Sequence, residues 1–107
     1  MLGLFEVEKV IHRSPAEYHI ALRVAEKHVD RMIPYLLERQ IEPVHPPSAP
    51  VQGIMREPIV HGWTPAAAVF FRDPDDHLLE LIAELGDVPR PDFLYRPLSE
   101  WRTLARS

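Results

Sequence analysis

Apolar and polar residues alternate along GLFEVEKVI, residues 3–11, with Leu4, Glu6, Glu8 and Val10 set against Phe5, Val7, Lys9 and Ile11. That two-residue period predicts a half-buried strand with one polar side. After the break at Arg13, Ser14 and Pro15, EYHIALRV (17–24) repeats it, placing Tyr18, Ile20, Leu22 and Val24 on one side and His19, Ala21 and Arg23 on the other. From 25 to 40 the spacing lengthens to three and four, in Val29, Met32, Ile33, Leu36 and Leu37, which predicts a helix. Pro34 lies inside that pattern, so a kink or a second helical piece opening near it is expected. IEPV (41–44) reads as a short strand. The connection that follows carries Pro46, Pro47, Pro50, Pro58 and Pro65 with Gly53 and Gly62, and GIMREPIV (53–60) is its one candidate strand, at a sheet edge.

Residues 66–72, AAAVFFR, and 77–84, HLLELIAE, predict two more strands joined by Asp73-Pro74-Asp75-Asp76. Asp first and Pro second suit a type I turn, and Asp76 tolerates the left-handed conformation that glycine takes more cheaply. The tail from 86 is proline-rich and extended until Ser99 and Glu100 open a short helix whose Trp101 and Leu104 pack back on the domain. The order is a leading strand (1–15), a βαβββ unit (16–85) and a tail with a helix (86–107), one α+β domain of 107 residues.

Composition narrows the chemistry. The formal net charge is -4 and neither Lys nor Arg forms a run, which argues against a nucleic-acid partner. There is no cysteine, so disulfides, thiolate nucleophiles and sulfur-ligated zinc are excluded. A bound metal must be held by His, Asp or Glu. No apolar stretch reaches the roughly 18–20 residues that span a bilayer, and the first residues lack the basic start of a signal peptide, so a cytoplasmic protein without membrane contacts is expected.

One residue does not fit its surroundings. On the HLLELIAE strand, Leu79, Leu81 and Ala83 share one face and Leu78, Glu80 and Ile82 the other, so Glu80 lies between aliphatic neighbours. An ionised carboxylate withdrawn from water costs several kcal/mol unless it is protonated, paired or bound to a cation. Pairing with an arginine such as Arg23, or a wet strand edge, satisfies Glu80 as well as a metal does. His19, on a neighbouring strand pattern, is a metal-ligand type that suits the same Mn, Fe, Ni or Zn ions as a carboxylate. The defaults for His28, His45, His61 and His77 are solvated or turn-packing roles, and His12 ends the first strand. HEXXH, GxSxG and a phosphate-binding glycine loop are absent.

YHIALRV followed by a helix, and then WTPAAAVFFRDPDDHLLELIAEL, resembles one βαβββ module of the vicinal oxygen chelate superfamily, which includes glyoxalase I, bleomycin and fosfomycin resistance proteins and extradiol dioxygenases. The resemblance covers roughly residues 17–85. It implies that His19 and Glu80 are ligands of a divalent metal at the mouth of a curved sheet and that the metal chelates two adjacent oxygens of a small-molecule substrate; the one candidate general base is then a Glu80 of a dimeric site that leaves the metal to accept a proton. It also implies a substrate pocket for which Arg23, Trp63 and Phe70 are the candidates. Two departures stand out. Members carry two modules around the site where this chain has one complete module and a leading strand, and Asp76 replaces the usual glycine of the turn. A homodimer whose twofold axis matches each His19 and Glu80 with its mate is the expected completion. A metal-free, drug-sequestering module of the same fold and a ferredoxin-like structural dimer module are the alternatives.

Overall fold

The computed structural model describes residues 7–13, 18–46, 49 and 52–105, with the backbone alone for 7–13, 18 and 19. Its strands are β1 (Val7–Arg13), β2 (Tyr18–Val24), β3 (Ile59–His61), β4 (Ala66–Arg72), β5 (Leu78–Glu84) and β6 (Arg96–Pro97), in one mixed sheet of order β1-β2-β5-β4-β3-β6. β2 and β5 run parallel, and the other pairs are antiparallel. The parallel pair follows from connectivity, because the helical crossover after β2 returns the chain to β3 and two reversals then bring β5 in beside β2 in the same direction. The expected α+β layout holds in outline, in a compact fold with a radius of gyration of 13.1 Å. No helix among the described residues is long and apolar enough to cross a membrane.

The predicted helix divides ahead of its proline. Residues Glu26–Arg31 form a 3-10 helix and Met32–Glu38 form α1, so Pro34 falls in the first turn, where its missing N–H costs nothing. Gln40, at φ 60°, ends α1: Ile41 N–H bonds to Leu36 O at 2.9 Å and Gln40 N–H to Leu37 O at 3.0 Å. That is a Schellman stop with glutamine in the position glycine usually fills. Val29, Met32, Ile33 and Leu36 form one buried cluster with Val24, Val69, Leu81 and Ala83 of the sheet.

Three boundaries differ from expectation. IEPV is not a strand; Val44 alone makes isolated bridges, to Ile54 and Phe70. GIMREPIV yields only Ile59–His61, and β3 is not an edge strand because β6 pairs outside it. Prolines at 43, 46 and 58 remove the donors that a longer ladder requires. β1 continues through Arg13, so His12 lies within the strand and not at its end, and the predicted positions 3–6 fall outside the described residues.

The tail is anchored. β6 pairs with Ile59 and Val60, and α2 (Leu98–Ala105) follows it directly, with Trp101 1% exposed. Ser99 is not a self-sufficient cap. Its N–H and hydroxyl both donate to the Glu57 carboxylate, at 2.8 and 3.2 Å, so the first turn of α2 is satisfied from the lead-in to β3.

Candidate functional site

Glu80 is the buried charged side chain among the described residues, 5% exposed. It lies mid-strand on β5, with Ala21 of β2 beside it on one flank and Phe70 of β4 on the other. Residues paired across a ladder share a face, and faces alternate along each strand. Glu80 therefore shares a face with Ala21, Phe70, Ala68, Ile82 and Ala66. Ala21, Ala66 and Ile82 form a small cluster of their own, separate from the helical core. The alternation read from sequence put Glu80 opposite Leu79 and Leu81, and the strand is buried along nearly its whole length on both faces.

His19 precedes Ala21 by two residues and so has the same register parity as Glu80, one strand away. Its backbone is paired directly with His12 of β1. Of the two pocket candidates on this face, Arg23 is opposite Ile82, and its Nε lies 3.5 Å from Glu84 Oε1 at the strand end. Phe70 is buried beside Glu80.

Trp63 sits elsewhere. It is 43% exposed in the turn after β3 and stacks on His61 with ring centroids 4.3 Å apart and planes at 20°. Tyr95 closes a corner against it at 5.9 Å and 77°. His61 is level with Ala66 and Glu84, four residues along β5 from Glu80. Tyr95 holds a left-handed φ of 51°, and no local pattern in the proline-rich tail pointed to it.

A second cluster that sequence reasoning missed is in the β4–β5 hairpin, where donor atoms of Asp73, Asp75 and His77 lie within 4.8 Å of one another. Its geometry is that of the turn. Asp76 N–H closes on Asp73 O at 2.9 Å, Asp76 is left-handed at φ 67°, and Asp73 N–H bonds to His77 O at 3.0 Å, as in a type I turn followed by a bulge. Asp73 Oδ1 accepts from the N–H groups of Asp75 and His77 at 2.9 and 2.8 Å, and Oδ2 lies 3.1 Å from His77 Nδ1. The backbone bond from His77, foremost, holds the Asp73 carboxyl below the usual range. This carboxylate is already engaged in shaping the turn.

A cleft of about 500 Å³ runs between the 3-10 helix and α2, bordered by Glu26, Asp30, Asp87, Trp101 and Arg102. Its polar groups bind one another. Arg102 makes two bonds to Asp30 at 2.8 and 3.0 Å, Trp101 Nε1–H donates to Asp87 at 2.8 Å, and Glu26 accepts from Gly86 N–H at 3.0 Å. The Arg102 hydrogen bond lowers the Asp30 pKa and raises that of Arg102. The cleft is the seam by which the tail docks.

Comparison of the chain with known protein families, with curated proteins and with solved structures gives no match.

Proposed function

We propose that the face carrying Glu80 binds a divalent metal through His19 and Glu80, and that the protein is a glyoxalase, bleomycin-resistance or dioxygenase-like member of the vicinal oxygen chelate type, acting on a small oxygen-rich molecule. The observation that carries the reading is a carboxylate 5% exposed at mid-strand, flanked by Ala21 and Phe70, with His19 at matching parity on the adjacent parallel strand. An ion held there by His19 and Glu80 would supply Lewis-acid stabilisation of the charge that develops on two bound substrate oxygens. The donor set fits Mn, Fe, Ni or Zn. Two protein ligands are too few for a stable site. A twofold dimer that contributes a second His19 and Glu80 is one source of the others.

The test is thermal unfolding of protein prepared without chelator, with and without Mn²⁺, Ni²⁺ or Zn²⁺. A metal that binds the native state, present at about 100 times its Kd, adds about 2.7 kcal/mol, and EDTA removes it. Glu80→Gln should abolish the shift and Asp73→Asn should leave it. No shift with any of the three metals, or a shift abolished by Asp73→Asn and kept in Glu80→Gln, sinks the proposal.

A further inference from the structure

We infer that the cleft between the 3-10 helix and α2 binds a small organic ammonium ion with an apolar body, held by Glu26 and Asp87. The inference is independent of the metal reading, whose residues lie on the sheet, and the failure of one leaves the other untouched. The floor of the cleft is made by Val29, Leu85, Leu98 and Trp101, all buried except Leu85, which is partly so. A space of about 500 Å³ remains above it, within the range of about 300–1,000 Å³ in which small-molecule sites fall. The docked tail narrows this cleft without filling it.

Charge sets the class of ligand. The border carries three carboxylates, Glu26, Asp30 and Asp87, and two cations, Lys27 and Arg102. Arg102 is committed to Asp30 by both of its bonds, at 2.8 and 3.0 Å, so that pair is neutral and closed. Glu26 and Asp87 are left facing Lys27, which forms an ion pair with neither among the described residues. Each of these two carboxylates is fixed through one oxygen. Glu26 Oε1 accepts from Gly86 N–H at 3.0 Å and Asp87 Oδ2 from Trp101 Nε1–H at 2.8 Å, whereas Glu26 Oε2 and Asp87 Oδ1 accept no hydrogen bond from the described residues. Gly86 and Asp87 are adjacent, with Cα atoms about 3.8 Å apart, so both carboxylates are tied to one short stretch of backbone.

An ammonium group carries three donors and no acceptor, and so can meet two open carboxylate oxygens at once. Carboxylates in water hold such a partner weakly. Apolar surface withdrawn from water against the floor supplies the rest of the affinity. Inorganic cations lack that second contribution, and anions meet the wrong charge. The cleft thus selects an alkylammonium or arylalkylammonium ion.

Titration of the full chain with phenethylammonium chloride tests this, followed by calorimetry and by the Trp101 indole ¹H–¹⁵N resonance. 3-Phenylpropionate, with the same body and the opposite charge, is the control. Glu26→Gln and Asp87→Asn keep an amide oxygen to accept the Gly86 and Trp101 bonds while removing the charge, and each is checked for native circular dichroism. The expected result is one phenethylammonium per chain at a Kd of about 1 mM, with the Trp101 resonance shifted. Binding should be about fivefold weaker in each of the two variants and weaker at high salt. Equal affinity for 3-phenylpropionate would show an apolar groove without charge selection and overturns the inference. Unchanged affinity in either variant, or binding that never saturates, overturns it too. Lys27→Met leaves every bond of the seam in place. Removing that competing cation should strengthen binding about twofold, and no gain there overturns the inference even where another variant fails to fold.

Discussion

Gln40 and Asp76 adopt the same left-handed backbone, at φ 60° and 67°, and the cost differs because their side chains differ. An L-residue there forces Cβ toward the following carbonyl at roughly 1–2 kcal/mol, which a short aspartate recovers in part by local hydrogen bonding. Asp76 has such support, with Arg72 Nη1 donating to its carbonyl at 3.0 Å and Arg72 Nε 3.6 Å from its carboxylate. Gln40 is an exposed helix stop, and its work is done by its backbone. Gln40→Gly should therefore stabilise the protein by about 0.5 kcal/mol, the strain relieved less the added freedom of the unfolded chain. Asp76→Gly should be near neutral. Urea midpoints at unchanged slope measure both, and an equal gain from the two replacements would show that local support at Asp76 is worth nothing.

Among the elements, the tail depends on one glycine. A Cβ on Gly62 would stand 2.2 Å from the Arg90 carbonyl oxygen and 3.0 Å from both Phe93 Cβ and the Trp101 ring. Gly62 also exchanges backbone bonds with Phe93 and Arg90 at 2.8 and 2.7 Å. Gly62→Ala must push the backbone of 90–93 away and loosen Trp101, so a loss of about 2–4 kcal/mol is expected, of the order of deleting a buried aromatic. Trp101 fluorescence in a Trp63→Phe background should shift to the red, and an unchanged melting temperature would refute the docking. Little of this was legible in the sequence. β2, β4 and β5 are readable to within a residue because each runs for seven residues, long enough for an alternating or continuous apolar pattern to show. Glu80 stood out for the same reason. The segment 41–58 misled because its apolar residues are satisfied singly and at long range, Val44 N–H by Phe70 O at 2.8 Å and Met55 N–H by Pro43 O at 2.9 Å. The cap that Glu57 gives Ser99 spans 42 residues. The pairing of His12 with His19 needs the β1–β2 register, which a hydrophobic period does not supply.

At the scale of the molecule, these long-range attachments give stability a pH dependence whose sign can be worked out. His45 lies in the connection held beside β4, its N–H bonded to Gly53 O at 2.9 Å, and burial lowers its pKa below the ordinary 6.5. The unfolded chain then takes up protons at a higher pH than the native one, so this contribution is complete above 6.5 and is lost as pH falls through the native value. Asp30 follows the same sign lower down. Its carboxyl is depressed below 3.8 by the Arg102 hydrogen bond, so its contribution is present above 3.8 and disappears as pH falls through the lower native value. The second step is the one that acts on the tail, because the Asp30–Arg102 pair joins the 3-10 helix to α2 across 72 residues. Both groups are largely solvated, so the pair is worth no more than about 1 kcal/mol and weakens with salt. Urea midpoints between pH 8 and pH 3 should fall in two stages. His45→Gln should flatten the first stage, which begins near 6.5, and leave the second. Asp30→Asn should shrink the second and leave the first, with a smaller effect at high salt. A single decline that neither substitution alters would show that the connection and the tail are not the titrating attachments.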